Sequence, residues 1–141
     1  MKQSKIFCIV LTSFLFFGCL QISAKTTPVQ LYVFGISISF TDSVTYITDI
    51  HTIEPAYIES KTGFMYDRSI YSQQLQVWVE ENKNKPYTTC AIFFGTNKKK
   101  VMKQYTKLRD KYLKSQSTIV HDIKTEEFTF TPIEWTEHEA L

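Results

Sequence analysis

The sequence predicts one α+β domain: a β-hairpin, a helix, a strand, a helix and a strand, forming a mixed sheet of four to five strands with both helices on one face. Two observations favour this class. Apolar residues recur with period two in some segments and with helical spacing in others, and no repeat or linker separates these segments. The 141 residues, 43% hydrophobic and 15% aromatic, suit one domain and exclude a disordered chain. Three cysteines, 4 Gly and 4 Pro exclude disulfide-built and collagen-like chains.

Residues 1–24 have the pattern of an export signal. Lys2 and Lys5 precede an apolar run of 15 residues, Ile6–Leu20, which is shorter than the roughly 20 residues of a membrane-spanning helix. We expect cleavage after Ala24, giving a periplasmic or secreted protein without a transmembrane span. In a second interpretation the residues before Cys19 resemble a lipobox, and an acylated Cys19 anchors the protein to a membrane.

Processing changes the charge and the cysteine count. The whole chain has 16 basic and 14 acidic residues, and two of the basic residues lie in the signal. The remaining domain, residues 25–141, is therefore neutral, and cleavage after Ala24 leaves Cys90 as its single cysteine. A lone cysteine cannot form an internal disulfide, so we expect the hydrophobic core to stabilise the fold.

The first predicted elements form a hairpin. Leu31–Phe40 alternates with period two, its apolar side chains on one face, which predicts a half-buried strand. Thr41, Asp42 and Ser43 form a turn, and the β-branched segment Val44–Ile53 returns as a second strand. Proline lacks the N–H of a ladder residue, so Glu54-Pro55 ends or bends this strand.

A helix follows the loop Ser60–Tyr66. Asp67 or Ser69 caps it, and its apolar residues recur at helical spacing: Tyr71, Leu75, Trp78 and Val79. The short run Thr88–Phe94 is apolar without alternation, which predicts a central strand covered on both faces.

The second helix begins after the turn Gly95–Asn97. Its apolar stripe follows the spacing i, i+4, i+7, i+11 and consists of Val101, Tyr105, Leu108 and Tyr112. Ser115–Ser117 ends the helix, Thr118–Ile123 is a strand, and Phe128–Thr131 is a candidate for a short last strand.

Charge separates along the domain. Lys98–Lys114 contains eight basic residues and one acidic residue, whereas Asp122–Leu141 contains six acidic residues and one basic, an acidic tail from about residue 124. Such a helix attracts acidic partners, including nucleic acid, lipid head groups or acidic polymer. The alternative is a solvated helix face that the protein's own acidic tail partly neutralises.

Residues that could carry chemistry are few. His51, His121 and His138 do not have zinc-ligand spacing, and the sequence lacks HExxH and a glycine-rich phosphate loop, so we expect neither metal nor cofactor. Asp49 and His51 lie two residues apart on a predicted strand, with Ser37 or Ser39 on its neighbour. Polar faces of paired strands produce such groupings routinely, and nothing in the sequence builds an oxyanion hole. Cys90, in an apolar strand, is expected to be a small buried hydrophobic residue.

Two resemblances extend this interpretation. The segments Phe40–Ile50, Tyr71–Leu75, Thr89-Cys90 and Lys98–Lys100 resemble a group of small exported Bacteroidetes proteins with no assigned activity, which implies an envelope or extracellular location. The order of elements over residues 31–114, with Phe34 and Tyr46-Ile47-Thr48 spaced like two tyrosine motifs, resembles the GIY-YIG nuclease fold. Phe34 stands where that family has tyrosine, and Thr48 where it has glycine.

The sequence therefore favours a non-catalytic binding domain that contacts another envelope or extracellular component. Its candidate binding residues are those of the hairpin turn and the basic helix: Thr41, Asp42, Ser43, Lys98, Lys99, Lys103 and Lys107. The contrasting hypothesis is a GIY-YIG-like metal-dependent nuclease or other hydrolase. Its only candidate catalytic residues are Tyr46, Asp49, His51 and Arg68.

Overall fold

A computed structural model describes residues 25–136. The predicted α+β class with a mixed sheet is confirmed: within these residues, two helices accompany a five-stranded sheet. The elements are β1 (Thr26–Ser39), β2 (Val44–Thr48), β3 (His51–Glu59), α1 (Arg68–Lys83), β4 (Thr88–Gly95), α2 (Lys98–Lys114) and β5 (Ile119–Ile123). The predicted signal, its cleavage site and Cys19 lie outside the described residues, as do His138 and the last residues of the acidic tail.

The sheet is built around β1, which pairs along both of its edges. Ile36–Ile38 pairs with β2 and also with β4, so these two strands lie on opposite edges of β1. Tyr32 and Val33 pair with both β3 and β4, which puts β3 on the same edge as β2. β5 adds to β2 in parallel. The resulting order is β4, β1, β2 with β3, and β5, and only β1 runs antiparallel to the others.

A bulge at Asp49–Ile50 separates β2 from β3. Ile36 pairs with Ile47, whereas Val33 pairs with His51, so the register advances by one residue between the two strands. A shift of one residue turns the side chains that follow to the other face of the sheet. Ile47 and His51 therefore face opposite sides of the sheet, although they are four positions apart, a spacing that would put them on the same side of a regular strand.

The two helices pack on opposite faces of the sheet, so the prediction that they share one face is wrong. The α1 face carries the odd-numbered apolar residues of β1 in a cluster that includes Leu31, Val33, Ile53, Tyr71, Leu75, Val79 and Ile92. The α2 face carries the even-numbered ones in a separate cluster that includes Phe34, Ile36, Ile47, Val101, Tyr105 and Leu108. Alternate side chains of β1 therefore belong to two separate hydrophobic cores, one on each face of the sheet.

The connections explain this arrangement. β3, β4 and β5 are mutually parallel, so α1 and α2 are both crossover connections, and crossovers of this type are right-handed. The first crossover moves across the sheet from β3 to β4, and the second moves back across it from β4 to β5. Two crossovers of the same hand that run in opposite directions must lie on opposite faces. A sequence that is divided only into helices and strands lacks this information.

Gly35 lets the α1 face pack closely. A Cβ atom at this position would lie 2.5 Å from Leu75 Cδ2 and 3.2 Å from Phe130 Cζ. Ser37 and Ser39 on the same side of β1 are also buried. The strand is therefore covered on both faces, and the prediction that it is half-buried is wrong.

Residues 124–135 cross the α1 face as a turn at 125–127 followed by a segment without helix or strand, and we call them the C-terminal strap. Its Phe128 and Phe130 are buried. The Gln74 side chain donates to the Thr131 carbonyl at 3.0 Å and accepts from the Thr131 N–H at 2.8 Å, and the Tyr71 hydroxyl accepts from the Ile133 N–H at 3.1 Å. Side chains of α1 thus take the place of a strand partner. Phe128–Thr131, the candidate for a short last strand, does not form a strand.

β4 lies at the edge of the described sheet, where the sequence predicted a central strand. Arg68 donates two hydrogen bonds to the Ile92 carbonyl, at 3.1 and 2.6 Å, and the Ser72 hydroxyl donates to the Cys90 carbonyl at 2.8 Å. Carbonyls left open at a sheet edge invite pairing with other chains. The first turns of α1 close this edge instead.

Candidate functional site

The candidate site is the outer surface of α2. Asn97 begins the helix by accepting a hydrogen bond from the Lys100 N–H at 3.1 Å, as predicted. Gly95 allows the helix to lie close to the end of β4, because a Cβ there would lie 2.9 Å from Val101 Cγ2. The predicted apolar stripe, Val101 to Tyr112, packs on the sheet. The packing fixes which side of α2 faces solvent.

Six lysines form one continuous stripe on that solvent side. On a helix, residues four and seven apart share a face. Two such series overlap here, and we call the six residues the lysine face: Lys99, Lys103, Lys107 and Lys111 at spacing i+4, with Lys100, Lys107 and Lys114 at spacing i+7. All six are exposed. Of the predicted binding lysines, Lys99, Lys103 and Lys107 belong to this face, whereas Lys98 lies on the flank that holds Arg109.

This charge pattern weakens the isolated helix. Like charges at i, i+4 destabilise a helix by roughly 0.2–0.5 kcal/mol for each pair, and Lys99, Lys103, Lys107 and Lys111 form three consecutive pairs of this kind. The first turn carries lysines and no acidic residue, which opposes the helix dipole. Lys111 and Lys114 lie in the last turn, where positive charge suits the dipole, so the unfavourable part of the arrangement is the first half of the helix. An anion bound there relieves the repulsion.

The acidic tail does little to neutralise this face within the described residues. Its contact with α2 is the pair of Arg109 with Asp122, at 3.1 and 2.8 Å. The hydrogen bond from Arg109 holds the pKa of Asp122 below its usual range. Glu127 instead bonds Lys83 of α1 at 3.3 Å. Among residues 25–136, none of the six lysines forms an ion pair. The described acidic residues therefore neutralise Arg109 of α2 but not the lysine face.

The predicted hairpin turn lies beside the C-terminal end of α2. Thr41, Asp42 and Ser43 line one wall of a cleft of about 320 Å³, and Tyr112 and Ser115 line another. Asp42 is paired with Lys85 at 2.5 Å, and this hydrogen bond raises the pKa of Lys85. The two binding surfaces predicted from the sequence are therefore neighbours.

The four candidate catalytic residues do not form one centre. Tyr46 is buried and stacks on His121 of β5, with ring centroids 5.6 Å apart. Arg68 lies at the far edge of the sheet, bonded to Ile92 of β4 and placed over the Phe94 ring at 5.6 Å. β1 lies between β2, which contains Tyr46, and β4, to which Arg68 is bonded. The position of Arg68 accounts for it as a structural residue.

Asp49 and His51 also have different environments. The Asp49 carboxylate accepts from the backbone N–H and the hydroxyl of Thr125, at 3.0 and 3.1 Å. The His51 ring is buried against Phe128 and Phe130, and neither of its nitrogens has a hydrogen-bond partner. Since Val33 pairs with His51, Ser37 and Ser39 lie four and six residues farther along β1. These residues do not form a Ser-His-Asp triad.

Cys90 is partly buried beside the α1-face cluster. Burial raises the pKa of its thiol, while Ser37 and Thr88 act in the opposite direction. The protonated thiol is a poor nucleophile. Within residues 25–136, no three histidine, cysteine, aspartate or glutamate side chains cluster closely enough to hold a metal ion.

The sequence analysis missed two surface features. One is an apolar groove of about 610 Å³ between α1 and the strap, lined by residues that include Ile70, Val77 and Trp78. The other is the cleft at the hairpin turn, to which residues far apart in the sequence contribute. Phe40, which the sequence placed on the apolar face of the first strand, instead follows the end of β1 and is exposed beside this cleft.

No protein family, curated protein or solved structure matches the chain. Both resemblances drawn from the sequence therefore stay predictions. No helix between residues 25 and 136 is long and apolar enough to cross a membrane.

Proposed function

We propose that this protein is an exported, non-catalytic binding domain that holds an anionic polymer of the envelope or extracellular space against the lysine face of α2. The observation that carries the proposal is the continuous stripe of six exposed lysines without an ion pair to any residue of 25–136. A linear polymer with evenly spaced charges contacts such a stripe along its whole length.

The chemistry of the stripe favours charge recognition over geometric recognition. Lysine presents a compact point charge, whereas arginine grips phosphate or carboxylate with a planar, bidentate fork. The single arginine of α2 is already bonded to Asp122. Binding through lysines alone releases counterions, so affinity falls steeply as salt rises.

Charge reversal at Lys103 and Lys107 tests the proposal. We expect the double variant K103E/K107E to bind a fluorescent polyanion at least about tenfold more weakly than the unaltered protein at low salt. Glutamates at these positions face Lys99 and Lys111 at i, i+4 spacing, so the helix should be strengthened rather than lost. Fluorescence anisotropy with heparin and with an oligo-dT probe, over a range of salt concentrations, measures the change.

The matched control is K25E/K61E, which makes the same change in net charge at two exposed lysines away from α2. This variant should bind as the unaltered protein does. Equal losses in both variants would reduce the effect to net charge, and binding that does not weaken between low and physiological salt would contradict the proposal.

The contrasting hypothesis is a metal-dependent nuclease, and the same purified protein can be tested for it. We expect no cleavage of duplex DNA with Mg²⁺ or Mn²⁺, because Tyr46, Asp49 and Arg68 contact different groups and the His51 ring is buried against Phe128 and Phe130. Gel electrophoresis after incubation with and without metal tests this. Metal-dependent cleavage that disappears in Tyr46→Phe would establish the nuclease instead.

A further inference from the structure

The cleft at the hairpin turn has an unusual lining. Of its eleven lining residues, eight carry a hydroxyl group. Its volume of about 320 Å³ is within the range of small-ligand sites, roughly 300–1,000 Å³. The cleft combines the tip of the β1–β2 hairpin, the last turn of α2 and the segment that leads into β5.

The hydroxyls leave much of their hydrogen-bonding capacity open. They bond one another in three pairs: Ser39 with Thr41 at 3.1 Å, Thr45 with Thr118 at 3.0 Å, and Ser115 with Ser117 at 2.6 Å. In each pair one O–H is used, and the other hydroxyl keeps its O–H. Ser39 also accepts from the Asp42 N–H at 3.2 Å, and Ser39 and Thr45 are buried. The open capacity therefore lies on the less buried hydroxyls: Thr41, Ser43, Ser115, Ser117 and Thr118. The cleft therefore offers both donors and acceptors, closely spaced, as a ligand with many hydroxyl groups requires.

Two further side chains suit the same ligand. Phe40 lines the cleft and is 82% exposed. Its aromatic ring is therefore free to contact C–H groups of a ligand. Asp42 also lines the cleft, and because Lys85 already bonds one carboxylate oxygen, the charge is compensated while acceptor capacity remains. A sugar ring has hydroxyls at its edge and C–H groups on its face, which matches both side chains.

The cleft lies at the C-terminal end of α2, near the last lysines of the lysine face. Tyr112 and Ser115 line the cleft, and they directly follow Lys111 and Lys114, the last residues of that face. The lysine face itself lacks a platform for nucleobases, since Tyr105 and Tyr112, the tyrosines of α2, pack against the sheet. Single-stranded nucleic acids are normally held by stacking on several exposed aromatic rings.

We infer that the cleft binds one sugar ring of the polymer, and that the anionic polymer held by the lysine face is an acidic polysaccharide. The inference rests on the proposed function for the charge component and adds the identity of the polymer. The lysines bind the carboxylates or sulfates of successive rings, and the cleft selects a sugar over a nucleotide.

The test compares two polyanions with about ten charges each, an oligogalacturonate and an oligo-dT, by competition in fluorescence anisotropy with the processed protein. We expect the oligogalacturonate to bind at least about tenfold more tightly. The cleft variant F40A/S117A should lose this preference and keep its affinity for oligo-dT. Both substituted side chains are exposed, so the fold is retained.

The matched control is F64A/S69A, which removes an exposed phenylalanine and an exposed serine elsewhere. It should keep the preference for oligogalacturonate. A different outcome is equal affinity for both polymers, with both affinities lost in K103E/K107E. That result would overturn sugar binding by the cleft and would leave the proposed function standing. Failure of both polymers to bind would overturn the proposed function itself, and a preference that survives F40A/S117A would place sugar recognition outside the cleft.

Discussion

Replacing Phe130 with alanine is expected to lower the free energy of unfolding by roughly 3–5 kcal/mol, the range for removal of a buried phenylalanine. The ring is 6% exposed. It makes edge contacts with Phe128 and His51, with centroids 4.9 and 5.4 Å apart, and lies over the backbone of Gly35. No side chain of β1 can fill the resulting cavity, because position 35 lacks one. The loss should be near the upper end of this range.

Urea denaturation of a protein that comprises residues 25–141, followed by tryptophan fluorescence, measures the change. Trp78 contacts Phe128 of the strap, with ring centroids 5.6 Å apart, and reports on this region. Phe64→Ala is the control, since that ring is 64% exposed and its removal should cost little. A Phe130 variant as stable as the Phe64 variant would mean that the strap is not part of the core.

The strap also shows where the sequence was informative and where it was not. The alternation Phe128, Thr129, Phe130 matches the burial, since both phenylalanines are buried and Thr129 is exposed, but the expected short strand does not form. The alternation does not reveal that the partner is the carboxamide of Gln74 rather than another strand. Side-chain partners of this kind depend on tertiary placement, which period and propensity do not encode.

The elements themselves were predictable because each has a strong local pattern. The stripe of α2, its Asn97 cap and the short apolar strand β4 all follow from spacing. The placement of the helices was not, since it depends on the directions of two crossovers. The bulge at Asp49–Ile50 was also missed, because a shift of one residue leaves no mark in a β-branched run.

For the candidate site, the sequence identified the residues but not their relations. Lys103 and Lys107 could be placed on an outer face from helical spacing alone. Their lack of an ion pair with the described part of the tail depends on Glu127, which turns to Lys83 on the opposite side of the sheet. Likewise, the turn at Asp42 was predictable, but its neighbours across the cleft come from residues seventy or more positions later.

Acidification is expected to destabilise the protein through His51, beginning below about pH 6.5. The imidazole is 7% exposed, and within the described chain neither ring nitrogen has a hydrogen-bond partner. Burial lowers its pKa below the ordinary 6.5, and the nearby Asp49 only partly opposes this. The folded protein therefore keeps the ring neutral, in contact with Phe128 and Phe130 of the strap.

The direction of the effect follows from proton uptake. The unfolded chain protonates this histidine near its ordinary pKa, whereas the folded chain does so only at lower pH. In the interval between the two values the unfolded state binds more protons, so the stability contributed above pH 6.5 is lost as the pH falls. Asp122 and Glu127 have lowered pKa values as well, but as carboxylates they act in a more acidic range.

Urea midpoints measured between about pH 7 and pH 5 separate these contributions. We expect the midpoint to fall over this interval in the unaltered protein and to stay nearly level in His51→Leu, which keeps an apolar side chain under the strap. His121→Gln, on the exposed side of β5, should retain the slope. Hydrogen exchange should show the strap losing protection first, because a charged His51 lies directly beneath Phe128 and Phe130. An equal slope in His51→Leu would assign the acid sensitivity to other groups.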